Sequence, residues 1–215
     1  MRFDRFRIPA IVAGIAVLAS SVVSSTPAFS GVVSPQPGGN NAPLRTGKFC
    51  IFRAAKGAQG SFPPEFAQGH AGWGYQVDQN TFFYGSVENY SGHLFTGSPR
   101  LDPGTKTNFW QSHGTFNDML NEFRSRNNPD NPSHYYTDYK CQTVQNPSVD
   151  AAVKTTASIS QRSYNIVLSN CLTESVEVGQ AYRAAMPIIF PKGQVINPNS
   201  YFDGLLNQGW TYGKL

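Results

Sequence analysis

The stretch 70-HAGWGYQVDQNTFFYGSVE-88 carries the clearest structural signal in the chain. Apolar and aromatic residues on both sides of the turn-forming residues 78–80 are typical of a β-hairpin. Glycines in its first strand indicate a bulge or the close approach of a neighbouring backbone. Folding the hairpin about Gln79 places Glu88 directly across from His70, because facing residues lie at equal distances from the turn.

Weaker patterns on either side predict the other elements. Strands are expected at Phe49–Arg53, Tyr135–Val144 and Tyr164–Ser169. Helices are expected within Trp110–Arg126, after Ser148, from Cys171 to about Ala185, and from Pro198. Because the helices and strands do not alternate regularly, the sequence predicts the α+β class.

The first thirty residues have the layout of a secretory signal peptide. Three arginines precede an apolar stretch at 8–23, which is short for a permanent span of the bilayer, and small residues follow it. We expect cleavage near Ser30–Gly31, a secreted protein, and no stable membrane insertion after the signal is removed.

The rest of the chain is expected to form one domain. Residues 31–47 are rich in Pro, Gly and Asn and predict a flexible linker, which leaves 48–215 as a single domain of ordinary size. The formal net charge is +4, and the first thirty residues contribute three arginines and one aspartate to it. No run of like charges follows, so we expect no nucleic-acid partner.

Three cysteines in an exported chain leave at least one thiol without a partner in the same chain. Cys50 and Cys141 lie on predicted strands, and a disulfide between them is possible if the strands are neighbours. Alternatively, both are simply buried. A third arrangement, Cys141 bonded to Cys171, would leave no thiol at the strand-to-helix junction.

Cys171 lies where a predicted strand gives way to a helix, with Asn170 as a candidate N-cap. Unpaired N–H groups and the helix dipole at such a point favour an anion, and the thiolate is the nucleophilic form of cysteine. The alternative is an ordinary buried cysteine. His70 is the candidate base, since it begins a strand of the hairpin.

Other histidines and other kinds of site are weaker candidates. The rival bases lie in predicted loops or just before a helix: His93, His113 and His134. The sequence contains no HExxH or CxxC motif, no phosphate-binding glycine loop and no serine-hydrolase motif. We therefore predict neither a metal nor a cofactor.

Two motifs give the chain a resemblance to a known family. His70-Ala-Gly-Trp73-Gly, followed by Tyr164-x-Ile-Val-Leu-x-Asn170-Cys171, resembles the circularly permuted branch of the NlpC/P60 papain-like superfamily, which includes the lecithin retinol acyltransferase-like proteins. The resemblance covers roughly Phe49–Pro187. It implies a small antiparallel sheet packed against helices, with Cys171 as nucleophile, His70 as base and a polar residue orienting the imidazole.

The third residue departs from that family. Where its members often place a polar residue soon after the turn, this chain has Phe82, Phe83 and Tyr84. Glu88 faces His70 in the predicted hairpin, and a carboxylate there would orient the ring and stabilise the imidazolium. Ser86 and Asn89 are adjacent alternatives, and Glu88 is alternatively a solvated residue at the strand end.

These features together predict a secreted cysteine hydrolase or amidase that cleaves an amide bond in a peptide or cell-wall peptide through a Cys171–His70 acyl-enzyme mechanism. Two alternatives stay open. One is an acyltransferase or thioesterase acting on lipid acyl groups, and the other is a secreted binding module without turnover. The choice of substrate rests on the resemblance, because a fold does not by itself specify a reaction.

Overall fold

The structure is a computed structural model that describes residues 43–56, 69–88, 109–126, 136–162, 169–187, 197–205 and 209–215. Several predictions concern parts of the chain outside these ranges. They are the signal peptide at 1–30, the linker up to residue 42, and most of the strand predicted at Tyr164–Ser169.

The described residues form a six-stranded sheet with helices on both faces. The strands are β1 (Thr46–Ala54), β2 (His70–Gln76), β3 (Phe82–Val87), β4 (Phe109–Gly114), β5 (Asp138–Gln145) and β6 (Thr211–Lys214). The helices are α1 (Phe116–Ser125), α2 (Val149–Ser160), α3 (Cys171–Ala181) and α4 (Pro198–Gly204). The strand order is β4-β3-β2-β1-β5-β6 and each neighbouring pair is antiparallel, which confirms the α+β class.

The β2–β3 hairpin has the register predicted from the sequence. Gln76 faces Phe82 and Gly72 faces Ser86, so the strands fold about Gln79. The turn is closed by Asp78, whose Oδ1 accepts hydrogen bonds from the backbone N–H groups of Asn80 and Thr81 at 2.9 and 2.8 Å. A short side chain whose carboxylate accepts hydrogen bonds from the backbone N–H groups of its own turn stabilises that turn.

Alternation along β2 gives the sheet two different apolar faces. Trp73 and Tyr75 point towards α2 and α3, whose buried residues include Ile159 and Val176. The opposite face packs against α1 through Phe123 and other buried aromatic residues. The core therefore has two layers, one on each side of the sheet.

The glycines of β2 make room for α1. A Cβ atom on Gly72 would lie 2.7 Å from the ring of Phe123, and one on Gly74 would lie 2.3 Å from the sulfur of Met119. The expected close approach is thus made by side chains of α1. No bulge interrupts the β2–β3 register from Gly72 to Gln76.

Some element boundaries differ from the predictions. β1 begins at Thr46, inside the predicted linker, and β4 and β6 were not predicted. Both unpredicted strands lie at sheet edges, where β4 has a polar second half and β6 is only four residues long, so neither shows a strong alternation.

Helix α3 also ends earlier than expected, at Ala181 rather than near Ala185. Arg183 adopts a left-handed conformation with φ of 72°, and the N–H of Ala184 donates to the carbonyl of Gly179. A left-handed residue with this hydrogen bond commonly ends a helix, and that residue is usually glycine. Because the residue here is arginine, the sequence did not indicate that the helix ends at this point.

Cys50 and Cys141 face each other on the neighbouring strands β1 and β5 and form a disulfide. Cys171 is a buried free thiol. The alternative Cys141–Cys171 pairing is therefore not the one in the structure. Within the ranges described above, none of the helices combines the length and the apolar character needed to cross a membrane.

Candidate active site

The thiol of Cys171 lies at the first residue of α3, held there by a double cap. Oδ1 of Asn170 accepts hydrogen bonds from the N–H groups of Leu172 and Thr173 at 2.9 and 3.0 Å. In return, the hydroxyl of Thr173 accepts one from the N–H of Asn170 at 2.8 Å. This capping box fixes the backbone on both sides of the thiol, and Asn170 is the N-cap that the sequence predicted.

The cap also decides which N–H groups are available at the helix start. Leu172 and Thr173 both donate to Asn170, and Glu174 donates to the carbonyl of the same residue. The N–H of Cys171 itself lies one position before these donors. It is therefore the group at this helix start best placed to meet an oxygen of a substrate bound at the thiol.

His70 is the first residue of β2, and its imidazole is 7% exposed. The ring lies close enough to the side chain of Cys171 for the two to interact electrostatically, which brings together two residues about a hundred positions apart in the chain. Its Nε2 lies 2.7 Å from Oε2 of Glu88 on the other strand of the hairpin. The imidazole thus contacts a thiol and a carboxylate.

Glu88 is 1% exposed, so its carboxylate depends on protein groups rather than water. Oε2 pairs with His70, and Oε1 accepts hydrogen bonds from the indole N–H of Trp110 at 2.8 Å and the hydroxyl of Tyr136 at 3.1 Å. Both carboxylate oxygens thus have charged or polar partners, which offset the loss of water around a buried carboxylate.

Ser86 joins the same network. Its Oγ lies 3.1 Å from Nε2 of His70, donates to the carbonyl of Ala71 at 3.0 Å and accepts from the hydroxyl of Tyr136 at 2.9 Å. Both Ser86 and Glu88 therefore contact the imidazole, and Glu88 makes the shorter and charged contact. Asn89, the other alternative, lies outside the described residues.

The charges around His70 change its titration. Burial alone lowers the pKa of the imidazole, because it removes water from the imidazolium form. The negative charges of Glu88 and Cys171, and the hydrogen bonds to both, act in the opposite direction and raise the pKa well above 6.5. The imidazolium is therefore the favoured form at neutral pH.

The structure gives no comparable setting to the rival bases. His113 is exposed on the edge strand β4, while His93 and His134 lie outside the described residues. Among the described residues, no cluster of three or more His, Cys, Asp or Glu side chains could hold a metal ion.

Trp110 and Tyr136 were not recognised from the sequence as part of the site. Both read as apolar core residues, and both are indeed buried. The available signal was their polar N–H and O–H groups, since a buried indole or phenol usually needs a hydrogen-bond acceptor. Nothing in the sequence identified Glu88 as that acceptor.

Comparisons with protein-family models, with curated proteins and with solved structures found no match for this chain. The resemblance to the permuted NlpC/P60 branch accordingly stays a prediction from the two motifs.

Proposed function

We propose that the protein is a thiol-dependent hydrolase that cleaves an amide bond through an acyl-enzyme on Cys171. The observation that carries this proposal is the His70 imidazole, which lies beside the Cys171 side chain and is paired with the buried carboxylate of Glu88 at 2.7 Å. A nucleophile, a base and a group that orients the base are the three parts that such catalysis requires.

In the first half-reaction the sulfur of Cys171 attacks the carbonyl carbon and forms a C–S bond. The oxyanion that develops is met by the N–H of Cys171. The imidazolium of His70 then gives its proton to the amide nitrogen, the C–N bond breaks, and the amine leaves. The product on the enzyme is a thioester.

In the second half-reaction water attacks the thioester. His70, now neutral, accepts a proton from that water, the C–S bond breaks, and the acid product leaves. The thiolate and the imidazolium are restored together. Glu88 remains ionised throughout, holding the ring in place and stabilising its protonated form.

The compartment and the substrate class are part of the same proposal. The disulfide between Cys50 and Cys141 is of a kind that persists mainly outside the reducing cytosol, which agrees with the signal peptide predicted at 1–30. A peptide or cell-wall peptide amide is the substrate class that the resemblance favours. Transfer of the acyl group to an acceptor other than water would use the same thioester.

The first test is alkylation of the mature, non-reduced protein by iodoacetamide across pH. Cys171 is the expected target, because the other two cysteines are bonded to each other. We expect rapid labelling of Cys171 at a pH at which an ordinary thiol, with a pKa of about 8.5, reacts slowly. His70→Ala should slow the labelling, whereas the matched variant His113→Ala, at an exposed edge position, should not.

Turnover is tested next with peptide and cell-wall peptide amides, followed by release of free amine. Cys171→Ser should abolish release while the protein keeps its fold. The proposal is wrong if folded Cys171 reacts no faster than an unstructured thiol and no amide is cleaved. Unchanged partner binding by Cys171→Ser in that situation would favour a binding module.

A further inference from the structure

Two aromatic donors reach Glu88 from opposite sides of the hairpin. Trp110 lies on β4, next to β3, and Tyr136 lies just before β5, on the other side of β2. Both donate to Oε1 of the carboxylate, at 2.8 and 3.1 Å, and both side chains are buried. Oε2 is thereby left facing Nε2 of His70.

Helix α1 packs against the rings of both donors. The ring of Phe123 lies edge-on to both, with centroids 5.1 Å from Trp110 and 4.8 Å from Tyr136. The guanidinium of Arg126 also lies 3.9 Å above the Trp110 ring. These contacts keep the indole and the phenol in place without occupying their N–H and O–H groups.

The phenol of Tyr136 remains a donor over the working pH range. Burial raises its pKa, and the negative charge of Glu88 raises it further, so the hydroxyl stays protonated well above neutral pH. The indole N–H of Trp110 does not titrate. Oε1 of Glu88 thus accepts from an indole N–H that does not titrate and from a phenol whose single hydroxyl hydrogen is shared with Oγ of Ser86.

We propose that Trp110 and Tyr136 are positioning residues of the thiol site, because their hydrogen bonds to Oε1 hold the Glu88 carboxylate with Oε2 aimed at His70. This inference rests on the proposed function. It adds an aromatic support, formed by Trp110 and Tyr136, to Cys171, His70 and Glu88. The support packs against α1, which lies on the face of the sheet opposite to α3.

Among the described residues, the titratable groups that face the imidazole are Glu88, which follows β3, Cys171 from α3 and Tyr136 from the segment before β5. Arg126 of α1 is separated from it by the Trp110 ring and is itself paired with Glu122 at 2.7 Å. Matched control variants are therefore needed to assign a change in the pH dependence of His70 to the support.

The test uses Tyr136→Phe in the full mature chain, with Tyr84→Phe as its matched control. Tyr136→Phe keeps the ring that packs against Phe123 and removes only the hydroxyl. Tyr84 belongs to the same aromatic cluster, but its hydroxyl interacts with Ser112, the residue that it faces on β4, rather than with the site. Both variants therefore lose a buried hydroxyl, and one of them leaves Glu88 untouched.

Trp110→Phe has its own control in Trp73→Phe. Trp73 is buried on the opposite face, and its indole nitrogen has no hydrogen-bond partner among the described residues. The two substitutions remove the same atoms from the core, so they cost similar packing energy. The hydrogen bond to Glu88 is the difference between them.

Two readouts follow the variants once circular dichroism shows that they are folded. The first is the pH profile of Cys171 alkylation, in which the rate at pH 6 should fall about tenfold in Tyr136→Phe and Trp110→Phe, the lower end of what the loss of a hydrogen bond to a charged group gives. The control variants should stay within about twofold of the parent protein, as expected where no charged hydrogen bond is lost.

The second readout is the NMR titration of the His70 ring, which needs no reactive thiol. A lower pH midpoint in Tyr136→Phe supports the positioning role, and a midpoint equal to that of Tyr84→Phe overturns it. Slow alkylation in the parent protein would instead overturn the proposed function. The two failures are therefore distinguished, and Tyr136→Phe alone decides the inference if Trp110→Phe does not fold.

Discussion

Replacing Glu88 by glutamine tests the electrostatic design of the site. The side chain keeps its shape but loses its charge, and its amide group must turn an N–H either towards Nε2 of His70 or towards the donors Trp110 and Tyr136. In either orientation one buried contact becomes unfavourable. The imidazolium also loses the nearest negative charge, while the burial that lowers its pKa is unchanged.

The expected size follows from the contact that is lost. A hydrogen bond to a charged group contributes about 1.5 to 3 kcal/mol, and breaking a buried ion pair costs about 3 to 5 kcal/mol. A loss of about 1.5 to 3 kcal/mol corresponds to a roughly tenfold to hundredfold fall in the Cys171 alkylation rate near pH 6. We expect that fall, together with a drop of about 3 kcal/mol in the free energy of unfolding at the same pH.

The pH dependence gives the sharper measurement. In the parent protein the pKa of His70 is raised above 6.5, so its contribution to stability is fully present below pH 6.5 and is lost as the pH rises through the folded-state pKa. In Glu88→Gln, protonated His70 should no longer contribute this stability. The stability gap between the two proteins should thus be widest in acid and narrow towards alkaline pH.

Denaturant unfolding of both proteins between pH 5.5 and 9 (at intervals of about half a pH unit) measures this gap. Glu177→Gln makes the same chemical change in a more exposed ion pair, with Arg162, where the cost should be at most about 1 kcal/mol. A gap that is constant across pH, or no larger than that of the control, would refute the assigned role of Glu88.

Three further predictions concern the framework that carries the site. Converting Cys50 and Cys141 to alanine opens a link that spans 91 residues and should lower the free energy of unfolding by about 4 to 5 kcal/mol in equilibrium denaturation. Gly72→Ala places a methyl group 2.7 Å from the ring of Phe123, so it should cost about 1 to 3 kcal/mol and lower the thermal midpoint. Asn170→Ala removes the N-cap of α3 and should cost about 1 to 2 kcal/mol, whereas Asn170→Asp should retain most of the stability because a carboxylate also caps a helix. Unchanged stability in any of the three would contradict the packing or capping assigned to it.

Local sequence was sufficient for the elements with strong periodicity or caps. The hairpin register could be predicted because the turn residues fix it, and Asn170 could be predicted as an N-cap because its side chain suits that position. Together they placed Glu88 across from His70 before any tertiary contact was considered. Edge strands and the left-handed turn at Arg183 lacked such local signals.

The sequence by itself thus determined the α+β class, the partner of His70 within the hairpin and the position of Cys171 at a helix start, since each depends on neighbours in the chain. Only the tertiary structure decided that Cys141 bonds to Cys50 and that the Cys171 thiol meets His70. These contacts join residues roughly a hundred positions apart, and their pairing depends on strand order and helix packing. No local pattern in the sequence predicts the strand order or the helix packing.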